Sequence, residues 1–108
     1  MKTYVTDDFD FKMIKNLLID NSRLTLNFTE ITSDEFMTVV SNESAEIINS
    51  ISSQTSLALK TKLDLTVVPN KKYIKLESGD KMFIIQCSKT MGTNRKYLTT
   101  ISFFKLEI

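Results

Sequence analysis

The sequence predicts a single α/β domain, spanning residues 1–108, in which a mixed sheet of about five strands is flanked by helices. Residues 82–85 are apolar on both faces of a strand, which is typical of a central strand covered twice. Apolar residues recur at helical spacing between Phe9 and Leu18. The 108 residues include only two glycines and one proline, which favours regular elements joined by short connections.

The first third of the chain alternates strand and helix signals. Residues 2–5 are inclined to form a strand, and the aspartates at 7, 8 and 10 suit a helix start, where carboxylates meet the positive end of the dipole. The helical spacing of 9–18 follows, and then residues 24–29 alternate as a half-buried strand. Thr32 and Glu35 fit a capping box in which each side chain satisfies the other's backbone amide, opening a short helix.

Ser41 and Asn42 predict a break and a new helix start, with Asn42 as the N-cap. The following helix would place five residues on one arc: Ser44, Ile47, Ile48, Ile51 and Thr55. Residues 56–66 are ambiguous, and we expect the helix to fray there and residues 63–66 to be extended.

A hairpin is the clearest pattern in the second half. Residues 73–77 alternate, Ser78-Gly79 supplies a turn, and residues 81–88 form the central strand. Cys87 within this strand is expected to be a small buried hydrophobe. Residues 90–96 are expected to form a polar loop, and residues 98–108 a final β-rich segment.

Composition excludes several classes of chemistry. The chain has no histidine and one cysteine, so one chain cannot assemble an ordinary zinc or iron site or a serine–histidine pair, and we expect no metal and no cofactor. The net charge of +1 is distributed unevenly along the chain, because residues 1–59 sum to −5 and residues 60–96 to +6. Such asymmetry can mark an anion-binding face, although a lysine-edged sheet surface explains it equally well.

Anion recognition is the chemistry that these residues leave open. A helix starting at Asn42 would present free amides, and Ser41, Asn42 and Ser44 would add short hydrogen-bonding groups where phosphates commonly bind. Lys89, Arg95 and Lys96 follow the central strand and would complete a pocket. An ordinary helix cap and a solvated basic loop are the alternatives.

Several blocks resemble a family of small archaeal-virus proteins that includes viral ring nucleases, anti-CRISPR enzymes that cut cyclic tetra-adenylate. The residues that carry the resemblance lie in five blocks: 2–5 with Phe9, Met13 and Ile14; 32–36; 39–48; 67–80; and 81–86. The resemblance implies a five-stranded sheet flanked by helices, a two-fold homodimer, and a cyclic tetranucleotide bound between the subunits.

The resemblance also assigns working positions in this chain. The family's general-acid histidine corresponds to Asn42, its arginine after the central strand to Thr90, a nearby glutamate to the region of Thr93, and a serine of the first helix to Asp10. These replacements imply weak or no cleavage, because proton transfer by a positioned side chain contributes about 100- to 10,000-fold to rate. The candidate ligand-binding residues are Ser41, Asn42, Glu43, Ser44, Lys89, Thr90, Arg95, Lys96 and Asp10.

Three functions follow as hypotheses. The first is a virus-encoded, dimeric, anti-defence protein that binds a cyclic oligonucleotide or similar phosphate signal in the host cytoplasm. The second is a protein-interaction module that inhibits a host defence or nucleic-acid-handling protein through its acidic half. The third is a nuclease with rearranged residues, such as Glu43 or Glu46 with Lys89 or Arg95. Duplex DNA is not an expected partner because the net charge is near zero, and no apolar stretch is long enough to cross a membrane.

Overall fold

Five strands and three helices build the part of the chain that the computed structural model describes, which is residues 2–18, 23–42, 47–91 and 97–107. In chain order these elements are β1 (Thr3–Thr6), a 3-10 helix (Phe11–Leu18), β2 (Asn27–Ile31), α1 (Ser33–Asn42), β3 (Ile47–Ser50), α2 (Ser53–Leu63), β4 (Lys81–Met91) and β5 (Tyr97–Glu107). The strands form one mixed sheet in the order β2-β5-β4-β1-β3. The predicted α/β class and five-stranded mixed sheet are confirmed.

Strand β4 lies at the centre of this sheet, as its two-sided apolar pattern predicts. It pairs with β1 in parallel and with β5 in antiparallel orientation. On one face, Phe83 and Ile85 pack with residues of α1 and α2, where the Phe36 ring stacks on Phe103 with centroids 4.6 Å apart. On the other face, Met82 packs with Tyr4 and with Ile14 of the 3-10 helix. Two apolar clusters therefore cover the sheet, one on each side.

The prediction that a helix starts at Asn42 is wrong. Asn42 is the last residue of α1, residues 47–50 form strand β3 parallel to β1, and the next helix, α2, begins at Ser53. The physical reason is the environment of two neighbouring isoleucines. Ile47 packs against the cluster under α1 and α2, while Ile48 packs against the opposite cluster. Consecutive side chains buried on opposite faces require the two-residue period of a strand.

The predicted hairpin is correct in its turn and in its second arm. Asp80 N–H donates to the Glu77 carbonyl at 3.1 Å, and Gly79 has a φ of 91°, a region that glycine enters without steric cost. The first arm is not a strand of the sheet, because β1 and β5 already occupy both edges of β4. Ile74 and Leu76 are buried against the 3-10 helix, where the Leu76 amide donates to the Met13 carbonyl at 2.7 Å.

The end of β4 and the start of β5 extend beyond the rest of the sheet as a two-stranded ribbon. Strand β1 pairs with β4 up to Ile84, and β2 pairs with β5 from Phe103 onward, so residues 86–91 and 97–102 pair only with each other. The expectation that Cys87 is buried is therefore wrong: the thiol lies on this ribbon and is exposed. Thr90, predicted to start a loop, lies in β4, and β5 occupies most of the predicted final segment.

The remaining sequence signals differ in small ways from the structure. Strand β2 runs from Asn27 to Ile31, a few residues later than its alternation predicts. The Thr32 hydroxyl accepts from the Glu35 amide at 3.1 Å, as a capping box requires, but it donates to the Glu35 carboxylate, which does not reach the Thr32 amide. Helix α2 ends at Asp64, which adopts a left-handed conformation with φ 52°. Within the described ranges, no helix is long and apolar enough to span a bilayer.

Candidate functional site

The carboxyl ends of β1 and β3 define the edge of the sheet where a site is expected. The two strands are parallel and adjacent, with Thr6 opposite Ser50 in the register. Asp7 follows β1 directly, and Ile51 and Ser52 connect β3 to α2. In open α/β sheets, ligands bind outside the carboxyl ends of the parallel strands, close to the helix that follows. Side chains of these two connections therefore face the same region.

A carboxylate of the chain itself occupies the start of α2. Ser52 is the N-cap of this helix, and its hydroxyl accepts from the Thr55 amide at 3.2 Å. Three donors converge on one oxygen, Asp7 Oδ2: the Ser52 amide at 2.9 Å, the Ser52 hydroxyl at 2.8 Å and the Thr55 hydroxyl at 2.6 Å. Asp7 thus caps a helix about 45 residues further along the chain, rather than the 3-10 helix next to it.

These donors control the ionisation of Asp7. Burial by itself would raise the pKa of this carboxyl group. The hydrogen bonds from Thr55 and from the Ser52 amide and hydroxyl outweigh burial and lower the pKa below the ordinary value. Asp7 is therefore a carboxylate at neutral pH, and the helix N-terminus that would attract a phosphate already holds a negative charge.

Beside Asp7 lies an open groove of about 630 Å³, which we call the lysine groove. One wall is the segment after β1, with Asp8, Asp10 and Lys12. The other wall is the chain that runs past β3, with Asn70, Lys71, Lys72 and Tyr73. Ser50, Ser52 and Ile51 form the floor between them.

The second wall is held in place by contacts with β3. The Asn70 amide donates to the Ile51 carbonyl at 3.0 Å. Ser50 Oγ donates to the Lys72 carbonyl at 3.1 Å and accepts from the Lys72 amide at 3.3 Å. Because the main chain is fixed in this way, the lysine and tyrosine side chains of the wall extend from a defined position. Tyr73 is 77% exposed.

The side chains of the lysine groove can bind a phosphate-bearing ligand. Three ammonium groups, on Lys12, Lys71 and Lys72, offer charged donors to phosphate oxygens, and the exposed Tyr73 ring offers a face on which a base can stack. The carboxylates of Asp8 and Asp10 restrict where an anion can lie. Within the residues that the structure describes, no group of three acidic or cysteine side chains is arranged to hold a metal ion.

The structure separates the residues that the sequence proposed as one site. Asp10 lines the lysine groove, and its Oδ1 accepts from the Lys12 amide at 2.9 Å. Lys89 and Thr90 are in β4 on the ribbon, opposite Thr99 and Leu98, beyond the same edge of the sheet. Ser41 and Asn42 end α1, which precedes the amino end of β3, toward the opposite edge. Glu43, Ser44, Arg95 and Lys96 lie outside the described residues.

The helix-start argument for Ser41 and Asn42 therefore fails, because the end of a helix presents carbonyl groups and a negative dipole end. Their part in ligand binding stays a prediction that rests on the resemblance. The residues that the sequence reasoning missed are Asp7, Ser50, Ser52, Lys71, Lys72 and Tyr73. One signal for them is present: the β-branched Ile47-Ile48 pair followed by Ser52 and Thr55 indicates a buried strand leading into a serine-capped helix.

Comparison with known proteins gives a likeness of fold. No family model matches the chain, and no curated protein matches it. Among solved structures, the chain is similar to B116 of Sulfolobus turreted icosahedral virus (STIV), with a TM-score of 0.72 over 98% of both chains. The sequences are 20% identical, so the likeness shows that the two proteins share one fold along their whole length.

Proposed function

We propose that this chain is a virus-encoded anti-defence protein that binds a cyclic oligonucleotide or a similar phosphate signal, with weak or no cleavage. The observation that carries the proposal is the lysine groove at the carboxyl ends of β1 and β3, where three lysines and an exposed tyrosine share one opening with the carboxylates of Asp7, Asp8 and Asp10. Ligands of α/β sheets bind at this end of the parallel strands, and the lysines can donate to phosphate oxygens there.

The viral origin is supported by a likeness of fold and by a likeness of sequence blocks. The fold matches that of an archaeal-virus protein along the whole chain. The sequence blocks at 2–5, 32–36 and 67–80 resemble archaeal-virus ring nucleases. In such proteins a cyclic tetranucleotide is the ligand, and a chain that only binds this ligand would act by sequestering the signal.

Weak or no cleavage is proposed because of the groups that this chain can supply. The chain has no histidine, so no imidazole can protonate a leaving group near neutral pH. Asn42, the position that the resemblance assigns to the general acid, ends α1. In the lysine groove, Asp10 Oδ1 accepts from the Lys12 amide at 2.9 Å.

A two-fold homodimer is part of the proposal. A second cleft, of about 600 Å³, separates α2 from the ribbon and is lined by Gln54, Leu57, Ala58, Cys87 and Thr99, with Leu57 68% exposed. Asp7 lines both this cleft and the lysine groove. A partner subunit seated on the ribbon side would therefore bring two lysine grooves close to one axis, as a symmetric ring ligand requires.

Titration calorimetry with cyclic tetra-adenylate tests the proposal, with light scattering to measure the mass of the free protein. We expect a dimer and saturable binding. In the double variant Lys71→Gln/Lys72→Gln we expect an affinity lower by about tenfold or more, because two charged donors are lost. The matched control is Lys15→Gln/Lys75→Gln, which removes the same two charges from exposed residues outside the groove.

Two results would contradict the proposal. If cyclic oligoadenylates of no ring size bound at micromolar protein, this class of molecule would not be the ligand. Equal loss of affinity in the control and in the groove double variant would move binding away from the lysine groove. Chromatography of the ligand after a day of incubation separates retention from cleavage, and linear products would replace the sequestration function by a nuclease.

A second candidate function is a protein-interaction module that inhibits a host defence or nucleic-acid-handling protein through its acidic half. The observation that favours it is a group of exposed carboxylates in that half of the chain: Asp8, Asp10, Glu30, Asp34 and Glu35. Solvent-exposed charges of one sign steer association with a basic partner. A basic partner that binds to the wild-type protein but not to a variant neutralised at these positions would support this function.

A further inference from the structure

Strand β2 forms an outer edge of the sheet that the described residues leave open. On its inner side β2 pairs with β5, with Asn27 opposite Glu107 at one end and Ile31 opposite Phe103 at the other. No described strand lies on its outer side. The opposite edge strand, β3, is different because the chain around Asn70 and Lys72 bonds to its end. An uncovered edge presents a row of unused amides and carbonyls to any extended chain.

Aromatic side chains flank this open edge. Phe28 of β2 is 50% exposed, and its ring meets Phe9 edge to face with centroids 5.7 Å apart. Phe9 in turn contacts Phe11, 75% exposed, at 6.0 Å. A cleft of about 380 Å³ opens beside Phe9 and Phe28 over Ile84 and Phe104. Exposed aromatic rings next to a cleft are typical of surfaces that bind a partner side chain.

The same surface carries negative charge. Phe28 and Glu30 lie two residues apart in β2, opposite Leu106 and Phe104, so both point to one face of the sheet. Asp8 lines the cleft beside Phe9, and both Asp8 and Glu30 are exposed. Neither carboxylate has an ion-pair partner among the described residues. The edge therefore combines a hydrophobic anchor, Phe28, with one acidic group, Glu30, two residues further along the strand, and Asp8 adds a second carboxylate beside the cleft.

We propose that the open edge of β2 pairs with an extended, basic segment of a partner protein. Main-chain hydrogen bonds to β2 hold the segment, as in other cases of strand addition. An apolar side chain of the segment packs beside Phe28, and a lysine or arginine two residues away pairs with Glu30. This inference gives the second candidate function a location and a partner chemistry. It does not require a ligand in the lysine groove, which shares only Asp8 with the cleft among the residues used here.

Pairing of β2 with the β2 strand of a second copy of the chain fits the charge of Glu30 poorly. An antiparallel pair centred on Thr29 would put Glu30 of one copy opposite Phe28 of the other, with both Glu30 carboxylates on one face. No basic residue of β2 is available to compensate, because its sequence is Asn-Phe-Thr-Glu-Ile. A partner that supplies cations at alternate positions removes this conflict.

The test uses a short fluorescein-labelled peptide in which valine and lysine alternate along one face, with threonine between them. Binding to the full chain is followed by fluorescence anisotropy. We expect saturable binding that weakens by about tenfold in Phe28→Ala and several-fold in Glu30→Gln. The control Glu77→Gln makes the same charge change at an exposed turn next to β4 and should leave binding unchanged. Circular dichroism verifies that each variant keeps its fold.

Two further peptides examine strand pairing directly, each carrying N-methyl groups on alternate amides. Strand addition uses every second amide, so one methylated peptide should lose binding and the other should keep it. Equal behaviour of the two peptides overturns the proposal. Loss of binding in Glu30→Gln together with equal behaviour of the methylated peptides would leave an acidic docking surface without strand pairing.

Two other outcomes also overturn the proposal. A peptide that fails to bind at all removes the edge as a docking site, and this result leaves the cyclic oligonucleotide titration unaffected. Concentration-dependent self-association that disappears in Phe28→Ala would identify a second copy of the chain as the occupant. We expect neither result, and we expect saturating cyclic tetra-adenylate to leave the peptide bound.

Discussion

The two edge strands of the sheet, β3 and β2, differ in how far the rest of the chain covers them. At the β3 edge, the segment after α2 returns along the strand, contributes the buried Val67, and bonds to Ile51 and Ser50. At the β2 edge, the strand is exposed at four of its five positions. The difference shows that residues without regular secondary structure can cover the end of an edge strand. It also identifies which edge remains able to pair.

The largest expected difference between the edges is in packing. Ile51 is 1% exposed beside the β3 edge, and Ile51→Ala should lower the free energy of unfolding by about 3–4 kcal/mol, because a cavity forms in a covered cluster. Phe28→Ala at the β2 edge should cost about 1 kcal/mol or less, since the ring is half exposed. Urea unfolding measures both values. Equal losses would mean that the β2 edge is covered in solution.

The next effect concerns the carboxylate beside the β3 edge. Asp7→Ala removes the acceptor of three hydrogen bonds and should cost about 2 kcal/mol at neutral pH. The folded-state pKa of Asp7 lies below its unfolded value, so this stability is present above the ordinary value of 3.8 and is lost as pH falls through the folded pKa. The difference between wild type and variant should therefore shrink in acid.

Asp7→Asn provides the control for this pH dependence, because its side-chain amide has nearly the shape of the carboxylate and carries no charge. The difference in stability between Asp7→Asn and Asp7→Ala should change little over the same pH range. If the loss in Asp7→Ala stayed constant from neutral pH into strong acid, the hydrogen bonds to the ionised carboxylate would not be the source of the stabilisation.

Helix caps offer a smaller comparison of the two sides. Ser52→Ala should cost about 1.5 kcal/mol, because Ser52 both caps α2 and donates to Asp7. Thr32→Ala, at the cap of α1 next to β2, should cost about 0.5–1 kcal/mol, since its hydroxyl contacts Glu35 alone. Thermal unfolding of the two variants measures the difference. A larger loss for Thr32→Ala would contradict the greater stability that we assign to the β3 side.

The smallest loss of stability is expected on removal of the Ser50 hydroxyl, which bonds to the segment that covers the β3 edge. Ser50→Ala removes the two hydrogen bonds to Lys72 and should cost about 0.5–1 kcal/mol, because the partners can bond to water instead. Amide hydrogen exchange should rise in residues 70–72 and stay unchanged in β2. Faster exchange across the whole sheet would show that this contact supports the fold globally.

The fold class could be predicted because it depends on local patterns. The two-sided apolar residues of β4 and the Ser78-Gly79 turn determine their own structure from neighbours in sequence. The segment 47–50 is predicted as helix and is a strand, because two adjacent isoleucines fit both a helix arc and a buried strand. Parallel pairing with β1 decides between them, and that pairing joins residues more than 40 positions apart.

The candidate site was less accessible to sequence reasoning for the same reason. Asp7 was interpreted as a cap for the adjacent helix, whereas its three donors come from Ser52 and Thr55. Lys71 and Lys72 were part of a basic region, but their position in a groove with Asp10 depends on the chain returning past β3. The wrong helix start at Asn42 placed the expected anion site at the opposite end of the parallel strands from the lysine groove.

The exposed Cys87 has a practical consequence for studying this molecule. It is the one cysteine of the chain, and it lies on the ribbon facing the cleft beside α2. A maleimide dye or a nitroxide will therefore attach at one defined position without any mutation. Such a reporter sits next to the surface on which we expect a partner subunit, so its emission or line width registers dimer formation and ligand uptake in the native sequence.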